Sequence, residues 1–138
     1  MRYIIFLSLI GSVSTILSAC GSDPTPYEYD TAGLVLFKRA EVHFNKGEYK
    51  EAIPLYKKVI DIRYMLMDAY KHLADSYEKI GKDEEAIAVY EKANLVDSKD
   101  LDNLQNLIRL YEKHGYTEKA FEARKKLKGL VLQTERNN

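Results

Sequence analysis

One skeleton of residues recurs at intervals of 34 positions along this chain, and little else about it constrains the fold as tightly. Gly47 maps onto Gly81 and Gly115, and Ala52 onto Ala86 and Ala120. Tyr56 maps onto Tyr90, Tyr77 onto Tyr111, and Ala40 onto Ala74. A fixed period of this length marks a stacked helical array, whose units bury their apolar faces only against neighbouring copies. The stretch 67–100 shows the unit most clearly. Tyr70, Leu73, Ala74 and Tyr77 recur at spacings of three and four, as one face of a helix does. Ala86, Ile87, Tyr90 and Ala93 repeat the pattern after a turn at Gly81-Lys82-Asp83. The alanines let two helix backbones approach closely, and the tyrosines fill the space on either side. With only three prolines and seven glycines in 138 residues, there are few strand or turn signals, which favours an all-helical body.

The chain divides into unlike parts. Residues 1–19 carry a single charge, Arg2, followed by a short apolar run over 4–16 that Ser8, Gly11, Ser12 and Ser14 dilute. A bilayer span needs about 20 apolar residues, so this run reads as a secretory signal. It ends in Leu17-Ser18-Ala19-Cys20-Gly21, which resembles the lipobox of bacterial lipoproteins. That resemblance implies cleavage before Cys20 and a covalent diacylglycerol on its thiol; an ordinary signal peptide or an anchor helix is the alternative. One acyl chain binds a membrane reversibly, whereas two or three hold stably. By analogy with the sorting of enterobacterial lipoproteins, Gly21 in place of an aspartate points to the outer membrane, facing the periplasm. Residues 20–30 follow as the lipidated cysteine and an extended tether containing Pro24 and Pro26.

The array then occupies 31–134. Asp30 or Thr31 is expected to cap a first helix over about 31–46. The repeats are 33–66, 67–100 and 101–134, with a frayed polar tail at 135–138. Their spacing resembles the tetratricopeptide repeat, through Leu36, Ala40, Gly47, Tyr49, Ala52 and Tyr56 in the first copy. Arg39, His43 and Val59 depart from the usual Leu, Tyr and Ala. Pro54 falls near enough to a helix start to be tolerated. Asp83 is expected to cap the second helix of repeat two, and Ser98 the first helix of repeat three. Repeat three keeps Leu104, Leu107, Tyr111, Gly115 and Ala120, but has Ile108 at a small position and Arg124 at an aromatic one. A charge there suits a face turned to water, as the last repeat requires. The fold expected is an all-α, three-repeat solenoid.

The resemblance also implies a concave groove lined by the first helix of each pair. Its positions map to Leu34, Phe37, Glu41 and Phe44, then Lys71, His72, Asp75 and Glu78, then Gln105, Asn106, Arg109 and Glu112. Family members that clamp acidic chaperone tails use Lys and Asn in the first repeat, Asn in the second, and Lys and Arg in the third, at offsets where this chain has Phe37, Glu41, His72, Asp102 and Asn106. That clamp is missing. Two apolar surpluses, Leu34-Val35-Leu36-Phe37 and Leu127, Leu130 and Val131, suggest pairing with a partner or a second copy.

Reactive constellations are sparse. His43, His72 and His114 are scattered, with no HExxH spacing, and no glycine-rich phosphate cradle occurs. Zero formal net charge gives no general attraction for nucleic acid. The basic run Lys119, Arg124, Lys125, Lys126 and Lys128 reads as complementing a helix C-terminus rather than as a lipid-facing patch. The expected function is a lipid-anchored envelope adaptor with a protein or peptide partner, no enzymatic activity and no cofactor beyond the lipid on Cys20. The alternatives are a self-associating scaffold and, further off, an envelope enzyme.

Overall fold

The structure is a computed structural model that describes residues 26–136. The signal segment 1–19, Cys20 and the last two residues lie outside it. Six helices follow one another: α1 (Pro26–Asn45), α2 (Tyr49–Asp61), α3 (Leu66–Lys79), α4 (Asp83–Val96), α5 (Leu101–Lys113) and α6 (Thr117–Arg136). The described residues include no strand. Turns of three or four residues join the helices, so neighbours run antiparallel. Each packs against the next along the chain, and α1 also touches α3. The result is an all-α solenoid of three helical hairpins.

The period is visible in the backbone. In α1, α3 and α5 the last turn closes in the same way. Glu48 N–H donates to His43 O at 2.9 Å, Lys82 to Tyr77 O at 2.9 Å, and Tyr116 to Tyr111 O at 2.7 Å. This six-to-one bond requires a left-handed residue just before the donor. Gly47, Gly81 and Gly115 provide it, at φ 78°, 75° and 75°. The turns between repeats are not alike. The first, at 62–65, holds two non-glycine residues at positive φ, Arg63 at 57° and Met65 at 38°, whereas the second runs out through an extended Asp97.

Several sequence expectations need correction. Helix α1 begins at Pro26, not near 31, so residues 26–30 of the expected tether are helical. A proline is at home in a first turn, where its missing N–H would have no partner anyway. Helix α6 likewise runs on to Arg136 through the tail expected to fray. Asp83 does not cap α4: Lys82 holds that position, and Asp83 is the first helical residue. Nor does Ser98 cap α5. Asp100 does, its Oδ1 accepting from Asn103 N–H at 3.0 Å. Pro54 lies inside α2 without ending it.

Ala40, Ala52, Ala74 and Ala86 are completely buried, and Tyr56 and Tyr90 fill the space beside them. Gly33 makes a similar close approach. A Cβ there would lie 2.5 Å from Tyr64 Cγ, while one on Gly129 in α6 would meet nothing within 4 Å. Asp83 has a different role from the one expected. Its carboxylate is the anchor between the second and third repeats, held by Lys113 Nζ and, at 2.9 Å, by His114 Nε2. Those hydrogen bonds keep its pKa below the ordinary aspartate value.

Gly129→Ala should raise stability by about 0.5–1 kcal/mol through helix propensity alone. Gly33→Ala should lower it by about 1 kcal/mol, because overpacking outweighs that gain; urea unfolding midpoints separate the signs. Asp83→Asn should cost about 1 kcal/mol near neutral pH, since it removes charge-assisted bonds to partly exposed partners. Because the folded pKa is depressed, the Asp83 contribution is complete above the unfolded aspartate value, near 4, and is lost as pH falls through the folded one. Acid titration of the variant should therefore show a shallower loss below about pH 4 than the parent.

Candidate interaction groove

The first helices of the three hairpins, α1, α3 and α5, present a cleft of about 410 Å³ lined by Phe44, Asp75, Glu78, Lys79 and Arg109. Its charges are ordered by the array itself. One guanidinium nitrogen of Arg109 donates to both Glu78 oxygens, at 2.8 and 2.7 Å, tying α5 to α3. Beneath them Tyr90 reaches up from α4, its hydroxyl donating to Asp75 Oδ1 at 2.8 Å. Tyr90 is almost wholly buried, and that burial, helped by the charge of Asp75, pushes its phenol pKa far upward. It therefore stays a neutral donor that fixes the Asp75 carboxylate.

A smaller hollow of about 140 Å³ opens between the starts of α3 and α5. Asp68, Lys71, Asp102 and Asn106 line it, with Tyr90, Ala93 and Asn103 also contributing. Asn103 donates to Tyr90 O at 3.1 Å, while its Oδ1 is buried with no partner among the described residues.

The expected groove residues separate. Phe44, Asp75, Glu78 and Arg109 meet in the main cleft, and Lys71 in the smaller one. Phe37 belongs to neither. It is 3% exposed, with its ring against Tyr56, Tyr64 and His72 at centroid distances of 5.9, 6.5 and 5.9 Å. The apolar residue at this offset has turned inward to become core. Leu34 is exposed on α1 and Gln105 on α5, outside both clefts. Glu41 pairs with Lys38 on its own helix at 2.8 Å, and Glu112 with Arg124 of α6. Sequence reasoning missed Lys79, although it lies four residues after Asp75 and hence on the same helical face. It also missed Tyr90 as the floor, since a packing tyrosine gives no sign of where its hydroxyl ends.

The histidines and the basic run have structural partners. His72 stacks on Tyr56 at 5.4 Å, and His43 pairs with Glu48 at 2.6 Å. Lys119 binds Glu91 at 2.8 Å and Lys126 binds Asn94 at 2.9 Å, so two residues of the basic run fasten α6 to α4, while Arg124 reaches Glu112 of α5. Among the described residues no group of three or more His, Cys, Asp or Glu is placed to hold a metal ion.

Comparison with known proteins puts this geometry in a family. A family model described as tetratricopeptide repeat matches residues 69–104, and a second model of the same description matches 35–64. The two matches fall in register on successive hairpins. The chain is a tetratricopeptide repeat protein. Its third repeat lies largely outside the matches, yet α5 and α6 reproduce the same turn and the same buried alanine, Ala120. Among solved structures, the fold is similar to that of MamA, at 22% identity and a TM-score of 0.68, over 75% of this chain and 61% of that one. It is similar also to PcrH in complex with the chaperone binding region of PopB (12% identity, TM-score 0.65, 75% and 84% covered). A third similar structure is the second TPR of Spaghetti (RPAP3) bound to the HSP90 peptide SRMEEVD (22%, 0.61, 71% and 91%). The chain thus spans about three fifths of the MamA structure. A search of curated proteins found no match.

In this tetratricopeptide array Phe37 is a core residue rather than a contact residue. Phe37→Ala should therefore lower stability by about 3–4 kcal/mol, measured by chemical unfolding. A variant that folded as stably as the parent would put Phe37 back on the groove surface.

Proposed function

We propose that the protein is a lipid-anchored interaction adaptor of the bacterial cell envelope, fixed through Cys20 to the outer membrane and facing the periplasm. Its concave face holds a segment of a partner protein. The observation that carries the groove reading is the main cleft itself. Asp75, Glu78 and Arg109 are held in place by Tyr90 and by each other, beside the half-buried ring of Phe44. Groups fixed before a ligand arrives lose little freedom on binding, which favours recognition of an extended segment. The solved complexes of PcrH and RPAP3 support a peptide-binding role for this fold. The anchor reading is supported by the lipobox at 17–21 and by the single cysteine of the chain. No helix among the described residues is long and apolar enough to cross a membrane.

A photo-crosslinking side chain tests the groove. Placed at Lys79 on the concave side, it should capture one partner segment in native membranes; at Lys58 on α2 it should not. A synthetic peptide of that segment should compete, and Arg109→Ala should weaken its binding by roughly tenfold. Equal capture from both positions would remove the groove assignment, and recovery of this protein alone would favour the scaffold. Mass spectrometry of the membrane-extracted protein should show an amino terminus at Cys20 carrying diacylglycerol.

A further inference from the structure

The antiparallel hairpins give the array two edges. The turns at 46–48, 80–82 and 114–116 lie on one. The start of α1, the turns at 62–65 and 97–100, and the end of α6 lie on the other. Exposed apolar side chains are divided unequally between them: Val42, Tyr116 and Phe121 lie toward the first edge, and more lie toward the second. Leu34 and Val35 lie near the middle of α1, level with the first inter-repeat turn, where Gly33 approaches Tyr64; Met65 sits in that turn, Leu95 and Val96 end α4, and Leu132 lies near the end of α6. Leu95 is 86% exposed at the tip of its helix. Nothing in the fold explains so much uncovered apolar surface on one side.

The same edge receives the amino-terminal chain. On the reading that Cys20 bears lipid, five residues separate the anchor from Pro26. Whatever path they take, they reach no farther than about 20 Å. The end of α1 nearest the anchor is therefore kept close to the bilayer, while its other end, at the opposite edge, is about 30 Å farther away.

We infer that the edge formed by the start of α1, the two inter-repeat turns and the end of α6 rests against the lipid bilayer at headgroup level. This inference depends on the anchor proposed above. Asp97, Asp100 and Asp102 share the edge with Arg63 and Lys99, which sets the depth. Ionised carboxylates stay hydrated, so the apolar tips enter only the boundary between headgroups and acyl chains. The acidic excess also makes zwitterionic lipid the better surface, with anionic lipid weakening the contact at low salt. The array then stands on the membrane by its inter-repeat edge, with its concave groove opening sideways along the surface.

The test uses the full lipidated protein. With Cys20 modified, a cysteine introduced at Leu95, Leu132 or Glu118 is the single free thiol and takes an environment-sensitive fluorophore. Glu118 begins α6 at the far edge and serves as the reference. In phosphatidylcholine vesicles carrying nitroxide lipids, labels at Leu95→Cys and Leu132→Cys should be quenched at least roughly twofold more than at Glu118→Cys. Part replacement by phosphatidylglycerol at low salt should narrow that difference. Equal quenching at all three sites with the lipid present on Cys20 overturns the inference and leaves the anchor standing. Shielding at Leu95 that follows protein concentration and ignores the nitroxide would assign the edge to a second copy and overturn it as well. Absence of lipid on Cys20 overturns both readings.

Discussion

Close backbone approach at the alanines is the constraint on which this structure depends. Ala40 and Ala74 on first helices, and Ala52, Ala86 and Ala120 on second helices, are buried to within 3% of complete. The distance between packed helices is set by the side chains at their contact. A methyl group at each of these points keeps the hairpins tight enough for Tyr56 and Tyr90 to close the space around them. Where the third repeat has Ile108 instead, the residue is still buried, at 8% exposure. Where it has Arg124 in place of a tyrosine, the side chain turns outward to Glu112. At that position α6 offers a neighbour nothing apolar to cover.

The groove owes its shape to the same packing. Tyr90 is part of the core for most of its length, and its hydroxyl emerges at Asp75 on the concave face. A single residue thus transmits the position of α4 to a carboxylate on α3. Arg109 and Glu78 do the same between α5 and α3. Much of the charge on this face is already engaged within the protein, leaving Lys71, Lys79 and Asp68 as the more adaptable groups for a ligand to meet.

Much of this was legible in the sequence, and the misses have physical causes. Three hairpins, their glycine-closed turns and the buried alanines all follow from a period that packing imposes. Helix ends were harder. Asp83 and Ser98 have the chemistry of caps, but a cap is chosen by backbone geometry, and Asp83 was recruited by Lys113 and His114 from the next repeat. Phe37 was misplaced because a helical offset gives direction only relative to ideal neighbours. Here His72 and Tyr64 form an apolar recess that draws the ring inward. The continuation of α1 to Pro26 and of α6 to Arg136 was hidden by composition, since prolines and polar residues read as loop while both permit a helix end.

The two joints of the array are built from different materials. Repeat one meets repeat two through the rings of Phe37, Phe44 and Tyr56 against His72, and through Lys57 over Tyr77. Repeat two meets repeat three through Glu78–Arg109, Asp83–Lys113, Asp83–His114 and Glu91–Lys119. Among the described residues, every ion pair that crosses between repeats belongs to this second joint. Ionic strength screens exposed pairs and leaves ring packing intact, or strengthens it. The joint between the first two repeats is then indifferent to salt, while the last hairpin, whose Leu107, Leu110 and Tyr111 share the common core, has an ionic part to its fastening that salt can weaken. A groove that spans both joints would narrow or widen at one end only.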